Sequence, residues 1–320
     1  MKILKELIPY KKIYIEKITL ENNSGCKLSL INYGARVVQL KVHKQDIVLG
    51  YSNIYDYIRD NCYLGATLGP TSGRIHTGKV ILNKKIFHLS KNDNENNLHG
   101  GKNNFSFKFW KSKIKKNLYK IEVIYKIKIK NLEDSYPGDR KIQVIYTLYE
   151  NNKLLIKYKG VSSRNTLMNI TNHMYFNLNN DFNKAITNHK IRLKGQLYTN
   201  DNNHIIIKKS ENIENLKLYS NFNNYIKLNC NKVELSNTDN NLKINIKSNH
   251  TGLVVYTGDY PNYKMLLSNK EFSKKMGVAL EFQSPPIGEN NLNLIQSKLN
   301  KNKFYEKYIQ YEFIKCDNLN

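Results

Sequence analysis

The chain has 320 residues, 40% of them hydrophobic, and a formal net charge of +25 from 51 Lys+Arg against 26 Asp+Glu, so a large core is possible, in one big domain or two smaller ones. The basic balance invites a polyanion such as nucleic acid or an acidic membrane surface, but the lysines are scattered along the whole chain and no nucleic-acid motif accompanies them, so no nucleic-acid partner is expected. No run approaches the ~18 apolar residues of a membrane span, residues 1–20 lack the apolar core of a signal peptide, and Cys26, Cys62, Cys230 and Cys316 form no CxxC pair, which argues against a zinc motif or disulfide framework and for a soluble, cytoplasmic chain with free thiols.

Strand signals then recur in chain order. Short helical pieces are expected only at 54–59 and 270–276. The lysine-dense stretches 108–116 and 126–130 read as solvated strand faces. In 120–130 the odd positions are Ile121, Val123, Tyr125, Ile127 and Ile129, with mostly Lys and Glu between them. Ile142, Val144, Tyr146 and Leu148 repeat the pattern, and so do Leu154, Ile156 and Tyr158 after a hairpin turn at Asn151-Asn152. Residues 169–178 alternate as one strand, with Asn169, Thr171, His173, Tyr175 and Asn177 on a polar face. Leu242, Ile244 and Ile246 mark another strand. The Asn-rich stretches 91–97, 200–203 and 237–241 read as polar loops. Many short strands without alternating helices imply an all-β antiparallel sandwich or barrel. No linker divides it, so residues 1–320 are expected to form a single domain.

Four segments stand apart from the lysine-rich background. Residues 68–75 (Leu-Gly-Pro-Thr-Ser-Gly-Arg-Ile) form a tight turn that projects Arg74. Residues 96–101 place His99 on a loop before two glycines, where backbone can approach a ligand closely. The third is the strand with His173, whose polar face lacks Lys and Glu. The fourth is 279–286, where Ala279, Glu281 and Gln283 share a face opposite Leu280 and Phe282. A Glu between Leu and Phe near a strand end is costly unless paired or functional. Each residue alone is as well explained by structure: a surface arginine, a loop histidine, a satisfied core histidine, a buried acid. Together, two histidines, a glutamate and an arginine can perform acid–base chemistry on a polyhydroxylated ligand without metal or cofactor.

Taken in chain order, these motifs resemble the aldose 1-epimerase, or galactose mutarotase, family over nearly the whole length. The residues that carry the resemblance are Ile31-Asn32-Tyr33-Gly34-Ala35, Ile47-Val48-Leu49-Gly50-Tyr51, Gly65-Ala66, Gly73-Arg74-Ile75, Asn97-Leu98-His99-Gly100-Gly101 with Trp110, Tyr136-Pro137-Gly138, Tyr146-Thr147-Leu148, Thr171-Asn172-His173-Met174-Tyr175-Phe176-Asn177-Leu178, Tyr256-Thr257-Gly258 and Leu280-Glu281-Phe282-Gln283. The resemblance implies a large antiparallel β-sandwich, a galactose mutarotase-like supersandwich, with a sugar in an open cleft. It implies that Glu281 is the general base for the anomeric hydroxyl and His173 the general acid for the ring oxygen. His99 would assist near that oxygen, and Arg74 would bind sugar hydroxyls. Asn172, Tyr175, Asn223 and Gln283 are further candidates for substrate binding, Asn172 and Tyr175 through orienting the His173 imidazole. Neither metal nor cofactor is implied, and a monomer or homodimer is expected.

The chain also departs from the pattern. Gly73 stands where many members have Asn, and Pro70 where a second Arg is common. In Phe222-Asn223-Asn224-Tyr225-Ile226, Asn223 aligns with an Asp that grips sugar hydroxyls, which replaces a charge-assisted acceptor by a neutral one. The expected activity is interconversion of the α and β anomers of free aldohexoses such as glucose or galactose, with a bell-shaped pH profile. The alternatives are an enzyme for another sugar, maltose or a hexose 6-phosphate, and a non-catalytic sugar-binding relative. A phosphate would want a cluster of arginines. Arg36, Arg59, Arg140, Arg164 and Arg192 could join Arg74 only if folding gathers them.

Overall fold

The computed structural model describes residues 1–179, 181–201, 205–219 and 221–315. Cys316 and positions 202–203 of the expected Asn-rich loop lie outside the described residues. The architecture is nearly all β, and the pairings between named strands are antiparallel.

The alternating segments become strands as expected. Lys120–Ile129, Arg140–Tyr149 and Lys153–Ser162 are consecutive neighbours, and the turn at Asn151-Asn152 sets Leu148 opposite Leu154. Asn152 adopts φ 56° there, a left-handed conformation that asparagine tolerates better than most residues. Inward residues such as Val123, Tyr125, Val144, Tyr146, Ile156 and Tyr158 are fully buried, while Lys113, Lys126, Lys128 and Lys141 face solvent. Residues 54–59 contain the short 3-10 turn Ile54–Tyr57. Residues 270–276 are not helical; Glu271 makes a β-bridge to Met265, and the segment continues as turns. The small α-helical turn is instead Leu294–Ser297.

Thirteen strands form the main sheet among the described residues. It runs from Lys111–Lys116 through the three strands above and Phe304–Lys315, Leu242–Ser248, Lys232–Asn237, His189–Asn200, Asn223–Leu228, Gly252–Tyr256 and Val278–Gln283 to Tyr175–Phe176, and Ile206–Lys217 pairs with His189–Asn200 beside this path. A five-stranded sheet from Lys2–Tyr10 to Gln45–Asp46 adjoins it, and apolar side chains of both sheets share one core. Sheet-on-sheet packing of this kind is driven by apolar area removed from water. The strand His189–Asn200 changes partner midway. His189–Arg192 pairs with Lys232–Asn237, and Gly195–Leu197 with Asn223–Leu228. A Cβ on Gly195 would lie 2.7 Å from the Lys227 carbonyl oxygen, so the close approach at this switch requires glycine.

Residues 169–178 are not one strand with a packed and a polar face. They form two short strands that pair with different partners, Thr171–Asn172 with Thr67–Leu68 and Tyr175–Phe176 with Val278–Ala279. All ten residues are buried. The break falls at His173-Met174. There the Asn172 side-chain oxygen accepts from the Met174 N–H at 2.9 Å, a local bond that competes with the strand ladder. Likewise 278–283 is buried on both faces, because it lies inside the main sheet between Gly252–Tyr256 and Tyr175–Phe176.

Candidate active site

The broken strand, the end of Val278–Gln283 and two loops converge on one cleft of about 390 Å³, a size suited to a small ligand. His99, His173, Glu281, Arg74, Gln283, Asn223 and Tyr175 all line it. Asn172 does not line it. Its side-chain NH2 donates to the Gly65 carbonyl at 3.0 Å and the Tyr146 hydroxyl at 3.3 Å, so it holds backbone behind the cleft. None of Arg36, Arg59, Arg140, Arg164 and Arg192 reaches the lining either. Arg36 and Arg140 are buried elsewhere in ion pairs with Asp60 and Asp134.

Glu281 and His173 form the floor. Glu281 Oε1 lies 3.4 Å from His173 Nε2, and both side chains are about 95% buried (5% and 4% exposed). Backbone bonds fix His173 on both sides, its N–H donating to Ala66 and its carbonyl accepting from Gly65, each at 2.9 Å. The Tyr175 ring lies 4.9 Å from the imidazole, and the Tyr175 hydroxyl donates to the Cys62 carbonyl. Burial pushes the Glu281 carboxyl upward, but His173, His99 and Arg74 together outweigh it and hold its pKa below the usual carboxylate value. The carboxylate is therefore ionised at neutral pH.

His99 comes from the loop after Asn97–Leu98, a two-residue strand paired with Arg74–Ile75. Its Nδ1 accepts the Gly73 N–H at 3.2 Å. A backbone amide can only donate, so a neutral His99 carries its proton on Nε2. Burial pushes its pKa down to about 3, with Glu281 opposing and His173 and Arg74 assisting. His99 is thus a fixed neutral donor. The ligating atoms of His99, His173 and Glu281 lie within 4.8 Å of one another, the donor set of a metal site with two histidines and one carboxylate. The Gly73 bond on one nitrogen and the proton on the other take His99 out of ligand form, so these residues fit a metal poorly.

Arg74 reaches the cleft from its edge, with Nε donating to Asp93 Oδ2 at 2.7 Å. Four buried polar atoms around the floor have no partner among the described residues: His173 Nδ1, Glu281 Oε2 and both side-chain amide atoms of Gln283. Buried polar groups are nearly always satisfied, so this cluster of orphans is hydrogen-bonding capacity that a polar ligand could use.

Sequence reasoning missed several lining residues. Tyr63 packs its ring 4.9 Å from the His99 ring, and Tyr256 lies 6.3 Å from that of His173. Tyr256 fell inside a motif of the resemblance without a role, and Tyr63 stands just before another, Gly65-Ala66. Asp93 and Asn200 sit in stretches that read only as polar loops, and Tyr260 carried no signal beyond composition.

A sequence model of the family described as aldose 1-epimerase matches residues 16–312. The galactose mutarotase of Homo sapiens is 30% identical over 189 residues, 58% of this chain and 54% of that protein, so the match spans about half the length of this mammalian relative. The aldose 1-epimerase of Streptococcus thermophilus is 25% identical over 306 residues, 87% of this chain and 88% of that protein. Among solved structures, the galactose 1-epimerase of Lactobacillus acidophilus superposes with a TM-score of 0.88 at 23% identity, covering 99% of both chains. An aldose epimerase homologue from C. elegans superposes at 0.84 and 18% identity, covering 98% of this chain and 100% of that one. Those two likenesses show a shared fold.

Proposed function

The chain belongs to the aldose 1-epimerase family, and from that premise we propose that it interconverts the α and β anomers of free aldohexoses, glucose and galactose being the first candidates. Glu281 takes the proton from the anomeric hydroxyl while His173 delivers one to the ring oxygen. The C1–O5 bond breaks, leaving an open-chain aldehyde. Rotation about C1–C2 presents the other face of the carbonyl. Ring closure then returns both protons by the reverse path and gives the opposite anomer. His99 donates its Nε2 proton in a hydrogen bond near the reacting oxygens, and Arg74 binds hydroxyls. Each positioned acid or base contributes about 10²–10⁴-fold.

The observation that carries this reading is the buried Glu281–His173 pair with unpartnered polar atoms around it. Sugar binding alone calls for neither an ionised base nor an acid beside it. A neutral sugar is favoured over a hexose 6-phosphate because Arg74 is the single arginine or lysine lining the cleft among the described residues and is already paired with Asp93, while the His173 acid already faces Glu281. Polarimetry of freshly dissolved α-glucose and α-galactose tests the proposal. Optical rotation should relax faster with protein than in buffer for at least one of them. Measurable binding of both sugars with relaxation no faster than buffer would make the protein a non-catalytic sugar binder.

A further inference from the structure

We propose that Asp93 is a specificity-determining residue that restricts the cleft to uncharged sugars; this rests on the cleft being a hexose site. Arg74 and Asp93 both line the cleft, with side chains only 17% and 26% exposed. The pair is therefore less screened than a surface ion pair. Asp93 occupies Arg74 Nε, while no partner engages the two terminal nitrogens among the described residues. The guanidinium is thus held by its side and presents its end. It can donate to hydroxyls, but its charge is already compensated.

Asp93 is held in place. Its backbone carbonyl accepts from the Asn96 N–H at 2.9 Å, and its own N–H donates back at 3.3 Å. Next to it, the Asn92 side chain accepts from the Leu98 N–H at 2.7 Å and donates to the Leu98 carbonyl at 3.0 Å. These bonds fasten the Asp93 turn to the segment that carries His99. A phosphate or uronate entering the cleft would meet two carboxylates, Asp93 and Glu281, and the only cations there among the described residues, the Arg74 guanidinium and the proton-bearing His173, already face those carboxylates. Like charges brought together in a half-buried site repel strongly. The whole chain carries +25, a field that draws anions toward the surface, so exclusion of anionic sugars has to be local.

The test compares wild type with Asp93→Asn and Asp93→Ala, using glucose and glucose 6-phosphate. Two ratios of phosphate to neutral sugar are measured, one from kcat/KM for anomer exchange and one from calorimetric affinity. Both should rise at least about tenfold in the variants, and the rise should shrink as salt is added. Unchanged ratios in both folded variants, or a wild type that already prefers the phosphate, would overturn the proposal. A merely structural Asp93 would weaken both sugars alike and show no salt dependence. If wild type accelerates exchange of no sugar, the catalytic reading fails by itself, while the affinity ratio still reports on Asp93.

Discussion

At the scale of single residues, the site is built from groups whose environments push their titration apart. Glu281 is buried, which alone would favour its neutral form, yet its neighbours keep it charged. His99 is neutral because burial dominates, and its tautomer is set by one backbone amide. The pH dependence follows from the signs. As pH falls, activity is lost when Glu281 takes up a proton, and its depressed pKa puts that limb below the ordinary Glu value of about 4.3. His99 titrates near about 3 and adds no limb across the neutral range. The alkaline limb comes from loss of the proton that a general acid must donate. A kcat/KM profile for the preferred hexose should therefore be a bell with a low acid limb. A profile flat from mildly acidic to alkaline pH would contradict the acid–base pairing.

At the scale of elements, the two histidines proposed for catalysis sit where regular structure is interrupted, whereas Glu281 lies within the strand Val278–Gln283. His173 lies between two short strands, and His99 on a loop with φ 54°. Their placement depends on what stands behind them. Tyr136 is fully buried; its hydroxyl donates to Asn97 Oδ1 at 2.8 Å and lies 2.5 Å from Thr71 Oγ1. It thereby ties the segment before His99 to the turn before Arg74. Its own backbone carbonyl is held by Arg140, which forks onto both oxygens of Asp134 at 2.6 and 3.0 Å. Tyr136→Phe orphans buried polar atoms, so urea denaturation should show a loss of about 1–3 kcal/mol. kcat/KM should fall as well, because both loops lose a shared tether. Wild-type stability together with wild-type kcat/KM would show that the tether is dispensable.

The same elements explain what is legible in the sequence. The period-two pattern in 120–158 identifies real strands because one face is solvated and lysine marks it. The pattern in 169–178 misleads because both faces are buried. Its polar residues satisfy backbone: Asn169 donates to the Ser72 and Ser284 carbonyls, and Asn177 to those of Lys184 and Met276. Only His173 and Tyr175 of that set reach the cleft. Asn172 is misplaced for the same reason, since an amide that props up backbone looks in sequence like one that binds sugar. His99, His173, Glu281 and Arg74 stand out because each is chemically unlike its neighbours. Asp93 does not, because its part depends on the long-range contact with Arg74.

For the whole molecule, the large positive charge and the cleft are separate features. Lysines cover the outer strand faces, as at Lys111, Lys113, Lys126 and Lys128. The cleft has a single guanidinium among its described lining residues. The sheet order also brings together residues remote in the chain: the ends of Asn223–Leu228, Gly252–Tyr256, Val278–Gln283 and Tyr175–Phe176 are neighbours. This places Asn223, Tyr256, Glu281 and Tyr175 around one opening. Among the described residues no helix is long and apolar enough to cross a membrane. The central claim is that this assembled floor moves protons, with Glu281 as the base. Its most direct test is exchange between the α and β anomeric proton signals of galactose or glucose at equilibrium, measured by NMR for wild type and Glu281→Gln, with sugar affinity measured alongside by calorimetry. The variant keeps the shape of the side chain, so affinity should stay within about an order of magnitude while protein-dependent exchange disappears, a loss of at least ~10²-fold. Exchange near the wild-type rate in Glu281→Gln would contradict the account.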